Sequence, residues 1–283
     1  MTKKLKQKLG EPASGVYSSF DIVGNIAIIK SPNENPENAK AAANHIMTTH
    51  KSVKTVFIQT SPILGEFRVR NLSLLAGENV TTTKHHEWGC VFAVDVEKCY
   101  FSPRLSFERM RIARLVADGE TVVNMFAGVG CFSIVIAKKA ANVKVYSIDV
   151  NPIAVGYMEE NVKANKVEDK VAPLFGDAKT VITSQLHGIA DRVLMPLPEK
   201  ALPYLPYAVL ALKKTGGWIH YHDFEHATGN EDPQDKTKVK VAQKLDALGV
   251  GYRFAFSRVI RSTGPNWYHT VADIWVDSLP RNF

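Results

Sequence analysis

Residues 122 to 140 read VVNMFAGVGCFSIVIAKKA, a β-branched run that passes through Ala127, Gly128, Val129 and Gly130 into a stretch of helix formers. Glycines at such a turn let backbone amides approach a ligand with no Cβ in the way, and the start of a helix favours a carboxylate or phosphate. A second run, VYSIDVNP, ends in Asp149, about twenty residues beyond Gly130, where a carboxylate can accept hydrogen bonds from both hydroxyls of a ribose. Asp149 is equally placed to cap the next helix, with Asn151 as a competing cap. A third run ends in FGDAK, whose Asp177 can receive the amino group of an adenine.

Neither a long phosphate-cradling loop nor a Walker lysine accompanies these residues, so a pyrophosphate has no cradle. The set suits S-adenosylmethionine better than a dinucleotide; an NAD-type or regulatory α/β domain is the alternative. The acid expected on the first strand of a nucleotide-binding fold is replaced by Asn124. Its side-chain amide can hydrogen-bond the amino-acid part of the cofactor or hold the glycine turn.

The elements that must position these residues alternate. From TVVNMFAGVG onward the chain reads strand, helix, strand, helix, then the strands VAPLFGD and ADRVLMPLP, the helix ALPYLPYAVLALKKTG and the strand GWIHYHDF. That series predicts a mostly parallel, doubly wound sheet with ligands at the carboxyl ends of its strands. Ahead of it, SPRLSFERMRIARLVADGE predicts an amphipathic helix. FDIVGNIAIIK, NPENAKAAANHIMTTH, SVKTVFIQT, GEFRVRNLSLLAGE and the two runs around His-Glu-Trp-Gly predict a small α+β unit. The expected division is a basic leader over 1–19, an α+β domain over 20–96 and an α/β domain over 97–283.

With 283 residues, 45% of them hydrophobic, the chain is long enough for two cores. No apolar run approaches a membrane span and the basic N-terminus lacks a secretory apolar stretch, so no membrane partner and the cytoplasm are expected. Cys90, Cys99 and Cys131 match neither a zinc ribbon nor a disulfide framework, and no metal is expected. His220 and His222 alternate on a strand without metal-spaced companions, which suits core or pocket lining. A net charge of +7 favours an anionic partner such as a nucleic acid.

Taken in order, YFSPRLSFERMRI, NMFAGVGCFSI, SIDVNPIAV, DRVLMPLPEKA and GGWIHYHDF resemble the archaeal and eukaryotic family that methylates N1 of the tRNA guanine 3′ of the anticodon, position 37. They also resemble its relative in wybutosine synthesis, which transfers the aminocarboxypropyl group of the same cofactor. The resemblance runs from Phe20 onward and implies a Rossmann-like class I methyltransferase fold, S-adenosylmethionine as cofactor and tRNA as partner; a monomer is expected. It implies Glu108 as general base, Arg104 and Arg68 as catalytic partners, and a cofactor held by Tyr100, Phe126, Ala127, Gly128, Gly130, Asp149, Val150, Asp177 and Pro196. Guanine N1 carries a proton, so a base must take it while a cation steadies the charge on O6. Arg109 would orient the site or contact tRNA, unless Glu108 and Arg109 are an exposed helical pair. Arg70, two residues from Arg68 on the same side of a strand, is the alternative at O6, and Tyr100 is either a contact or core.

Two departures bear on specificity. The family's methyltransferases carry Asn-Leu-Pro after the fourth strand, whereas this chain has MPLP, with Pro196 in place of the asparagine. A proline offers no amide to a base, so another group must do the positioning. Family members often begin with an extra domain that inspects the outer corner of the tRNA; the few residues before Phe20 lead to an expectation of looser checking. Arg104, Glu108 and Arg68 favour methyl transfer, whereas IHYHDF and GPNWYHTVADIWV look as much like the aminocarboxypropyl enzymes. A catalytically silent tRNA-binding relative is the third possibility.

Overall fold

The computed structural model describes residues 20–30, 36–63, 65–277 and 279; the expected leader over 1–19 lies outside them. The chain divides into two compact units, with the boundary along the sequence between Phe107 and Glu108.

In the first unit, β1 (Phe20–Val23) and β2 (Ile26–Lys30) form a hairpin, and β3 (Thr55–Gln59) and β4 (Leu72–Gly77) complete a four-stranded sheet in the order β1-β2-β3-β4. Helix α1 (Pro36–Thr49) is rich in alanine, the best helix former, and buries Ala42, Ala43 and Ile46 against Ala27, Ile29 and Val56 of the sheet. A second hairpin pairs β5 (Thr82–Glu87) with β6 (Cys90–Asp95), turning through Trp88 and Gly89 as expected. GEFRVR is not a strand. Gly65 to Arg68 form a turn, Arg68 sits at φ 54°, and β4 begins only at Leu72. Arg68 and Arg70 therefore do not share one side of a strand.

A 3-10 turn at Pro103–Leu105 leads into α2 (Ser106–Leu115), which carries the chain into the second unit. There β7 (Thr121–Asn124), α3 (Cys131–Lys139), β8 (Lys144–Asp149), α4 (Pro152–Ala164), β9 (Val171–Phe175), α5 (Ala178–Gln185), β10 (Arg192–Met195), α6 (Pro198–Ala211) and β11 (Gly217–His226) alternate. They are followed by α7 (Pro233–Ala247), β12 (Tyr252–Gly264) and β13 (Trp267–Val276). The seven-stranded sheet has the order β12-β13-β11-β10-β7-β8-β9. Its β11 to β9 part is parallel, and β13 lies antiparallel between β11 and β12.

Val122, Val123 and Asn124 of β7, at the centre of the parallel part of the sheet, are buried on both faces, as a parallel sheet between helices requires. The sequence predicted no helix at Ala178–Gln185, because its β-branched residues dilute the helical signal. Asp177 as N-cap and the burial of Val181 and Ile182 settle it as α5. The closing β12–β13 hairpin carried no turn signal that sequence reading assigned; Asn266, at φ 58°, makes that turn.

Candidate active site

The strand-to-helix turn after β7 is built around Asp149. Its Oδ2 accepts from Gly128 N at 2.6 Å and its Oδ1 from Asn151 N at 2.9 Å, so the end of β8 pins the glycine turn beside it. Asn151, not Asp149, caps α4, accepting from Ile153 N at 3.0 Å. Burial pushes the Asp149 carboxyl up, and the backbone bonds from Asn151 and Gly128 only partly oppose it. A half-buried carboxylate held by backbone amides, with lone pairs left over, is well suited to two ribose hydroxyls. Gly130 sits at φ 91°, where an added Cβ would lie 2.9 Å from Met158 Cγ. Glycine there keeps the turn tight.

Asn124, fully buried, serves the turn. Its Oδ1 accepts from Phe126 N at 3.4 Å and its Nδ2 donates to Ser133 Oγ at 3.1 Å; Ser133 also bonds Ser147 Oγ at 2.7 Å. Of the two roles open to Asn124, the structure displays the second. Asp177 caps α5 through Lys179 N at 2.8 Å, and its other oxygen takes the hydroxyl of Tyr204. Tyr204 in turn packs edge-on against Phe126, with ring centroids 5.4 Å apart. Tyr204, which sequence reading missed, thus links the turns after β7 and β9. Pro196 and Val150 are half-buried at the ends of β10 and β8, on the same carboxyl edge of the sheet.

Glu108 is 1% exposed and Arg109 3%, which excludes an exposed helical pair and removes Arg109 as a surface contact for tRNA. The guanidiniums on Glu108 are those of Arg111 and Arg258. Arg111 donates Nε to Oε2 at 2.9 Å and Nη2 to Oε1 at 2.7 Å, and Arg258 Nη2 reaches Oε2 at 2.6 Å. Arg111 turns its remaining donors to Asp273, at 2.5 and 2.9 Å. Asp273 also accepts from His220 Nδ1 at 2.6 Å; because Arg192 Nη1 donates to His220 Nε2 at 2.6 Å, the His220 proton is on Nδ1. Arg192 is closed by Glu120 at 2.7 and 2.9 Å. Burial alone would raise the Glu108 carboxyl, but the Arg111 hydrogen bonds and the neighbouring positive groups outweigh it and hold Glu108 below the usual range.

One signal for Arg111 was in the sequence, since it follows Glu108 by three residues on one helix. Asp273 and Arg258 lie 165 and 150 positions beyond Glu108 and carried none. His220 and His222 are buried; His222 Nδ1 lies 3.0 Å from His269 Nε2 and its ring faces Phe132. Among the described residues no group of three or more His, Cys, Asp or Glu could hold a metal ion.

In the first unit, the Arg68 guanidinium lies 4.5 Å from the centroid of the Tyr100 ring, and Arg104 Nε donates to Asp21 at 2.5 Å. Arg70 is buried, donates to Gln59 Oε1 at 3.3 Å, and is held below its ordinary value by burial.

Residues 83–247 match the TRM5/TYW2 methyltransferase domain, and residues 1–81 match the TYW2 N-terminal domain. The chain is 43% identical to the tRNA (guanine(37)-N(1))-methyltransferase Trm5b of Pyrococcus abyssi over 92% of its own length and 75% of that protein. It is 33% identical to the tRNA(Phe) (4-demethylwyosine(37)-C(7)) aminocarboxypropyltransferase of Methanocaldococcus jannaschii, over 90% of this chain and 96% of that one. The crystal structure of wild-type Trm5b from Pyrococcus abyssi superposes with a TM-score of 0.81 at 42% identity, covering 92% of this chain and 75% of that one. A complex of aTrm5 with tRNALeu gives 0.78 at 35% identity, covering 92% and 72%.

Proposed function

Because the chain belongs to the TRM5/TYW2 methyltransferase family, we propose that it methylates N1 of guanine 37 of tRNA, with S-adenosylmethionine as donor. The observation that carries this reading is Glu108, a buried carboxylate kept ionised at the start of α2. Asp149 would hold the ribose of the cofactor, Gly128 and Gly130 would let its amino-acid end approach the backbone, and Phe126 and Asp177 would flank the adenine. The cofactor supplies a methyl carbon made electrophilic by the sulfonium.

Glu108 takes the N1 proton. Glu108 and Asp273 balance Arg111 and Arg258, so protonating Glu108 leaves the cluster with one surplus positive charge. That surplus favours the negative charge developing on guanine. By the family pattern Arg68 is the donor to O6, Arg104 supports the same region, and Tyr100 serves as the platform on which Arg68 rests. Pro196 presents no side-chain amide, so the cluster around Glu108 must do more of the positioning. The reading entails tRNA as partner and the cytoplasm as compartment, and among the described residues no helix is long and apolar enough to cross a membrane.

Aminocarboxypropyl transfer is the second reading, favoured by the match of residues 1–81 to the TYW2 N-terminal domain and by Pro196. The sulfonium bears three electrophilic carbons, and the pocket chooses by aligning one with the nucleophile. tRNA carrying either guanosine or 4-demethylwyosine at position 37 is incubated with cofactor labelled in the methyl or in the carboxyl group, and the nucleosides are resolved by mass spectrometry. Methyl label in N1-methylguanosine is expected. Label entering solely from the carboxyl-labelled cofactor would overturn methyl transfer in favour of the second reading.

A further inference from the structure

The face of the sheet that carries the Glu108 cluster continues beyond it. Side chains alternate along a strand, so residues two apart share a face. In register, Asp273, Val271 and His269 of β13 stand beside Phe256, Arg258 and Arg261 of β12, and Trp267 ends the row. Ring pairs with β11 mark the same face: Phe224 with His269 at 5.0 Å and His226 with Trp267 at 5.3 Å between centroids. The near end is covered, since Arg111 of α2 meets Asp273 and Phe132 of α3 meets His222. The far end is open, with Trp267 retaining 47% of its surface and His226 exposed.

Along β12 itself the charge has one sign. β12 is an edge strand that contains Arg253, Arg258 and Arg261 and no carboxylate. On Arg258 and Arg261 the Nε atom is shielded from solvent and has no hydrogen-bond partner. Both side chains are nonetheless only half-buried, so the outer N–H groups of their guanidiniums stay open to an acceptor that arrives from outside.

We propose that this face is the track for the single-stranded RNA flanking the target guanine, with phosphates on Arg258 and Arg261 and a base stacked on Trp267. Cations along a backbone with an aromatic ring at their end are what unpaired RNA requires, whereas a duplex keeps its bases stacked inside. Arg258 also donates to Glu108 at 2.6 Å, so a backbone that passes Arg258 delivers its nucleotide to the carboxylate. The inference rests on the tRNA reading above and goes beyond it in assigning the surface.

The test measures binding of an anticodon stem-loop RNA to the full chain across a salt series, for the unaltered protein, Trp267→Ala, Arg261→Gln and, as a control at the other end of β12, Arg253→Gln. Trp267→Ala is expected to weaken binding about tenfold, as loss of one base stack does. Arg261→Gln should lower the slope of log K against log salt by about one. Arg253→Gln should change neither, and S-adenosylmethionine affinity, which reports correct folding, should hold in all three. If the unaltered chain binds RNA with a steep salt response while Trp267→Ala and Arg261→Gln match it in affinity and slope, the track is wrong and the tRNA reading stands. If the unaltered chain fails to bind, both fall together.

Discussion

Two carboxylates of the second unit, half-buried Asp149 at the end of β8 and buried Glu108 on α2, are held in opposite ways. Asp149 is gripped by backbone amides from Gly128 and Asn151, within 21 residues of chain, and burial leaves its carboxyl raised. Glu108 is gripped by two guanidiniums, one from its own helix and one 150 residues away, and ends up lowered. Backbone amides are fixed neutral dipoles that leave lone pairs open, which suits a carboxylate meant to receive hydroxyl groups. Guanidiniums supply full charge, which keeps a base ionised but ties it to partners that must also be neutralised. The parallel half of the sheet thus carries a site that local geometry assembles, and the antiparallel half carries one assembled by charge across the whole unit.

Removing Arg111 should break the second arrangement most severely. Arg111→Leu leaves Glu108 with Arg258 alone and Asp273 with His220 alone, and losing one partner of such a buried network costs about 3–5 kcal/mol. Urea unfolding should record a loss of that size; a change below about 1 kcal/mol would mean the cluster is not held by charge. The matching change in the parallel half, Asp149→Asn, keeps an acceptor for Gly128 N and should cost far less stability.

Glu108→Gln preserves shape and removes only the charge. The single-turnover rate should fall by about 10² or more, in the range of a lost general base, while tRNA and cofactor affinities hold. Unaltered turnover would move the base elsewhere. Asp149→Ala should leave any rate at saturating cofactor nearly intact and weaken S-adenosylmethionine by about 2 kcal/mol, through lost charge-assisted bonds to ribose. Calorimetry decides this, and equal affinity would remove Asp149 from the cofactor site.

The same contrast explains what could be read from the sequence. Gly128, Gly130, Asp149 and Asp177 belong to strand ends whose order the alternating pattern already predicts, so their convergence follows from topology. Asn124 and Tyr204 escaped in detail, because whether an amide holds a turn or a ligand depends on a neighbour such as Ser133, and Tyr204 reaches Asp177 from a helix two elements on. Glu108 was legible only through the family motif; by itself the pattern fitted an exposed helix pair equally well. Its real partners come from the β12–β13 hairpin, and pairing at that separation leaves no local trace. Arg68 was misplaced onto a strand because alternation in GEFRVR imitates one, while its left-handed backbone at φ 54° makes a turn.

The smallest effect expected is a pair of opposing pH slopes on the two faces of β11. His222 faces the Glu108 side; burial, with opposition from Glu108 and support from Arg111, pushes it down to about 4. A lowered histidine adds stability that is complete above its unfolded value, near 6.5, and is lost as pH falls through about 4. Asp223, on the other face beside Lys240 at 2.9 Å, is pushed up to about 6 by burial, with Lys240 opposing and Glu225 adding to the rise. A raised carboxyl adds stability that is complete below its unfolded value and is lost as pH rises through about 6. Between pH 7 and 5.5 the two therefore oppose each other, each by about 1 kcal/mol at the lower pH. Asp223→Asn removes the second contribution, so stability should fall on acidification more steeply than in the unaltered chain. His222→Phe, whose ring can pack on Phe132, removes the first and should turn the slope toward gain. Urea unfolding of the three proteins at pH 7 and 5.5 measures both slopes. Parallel slopes in all three would show that neither group titrates differently on folding, and would dissolve the contrast between the two faces of the strand.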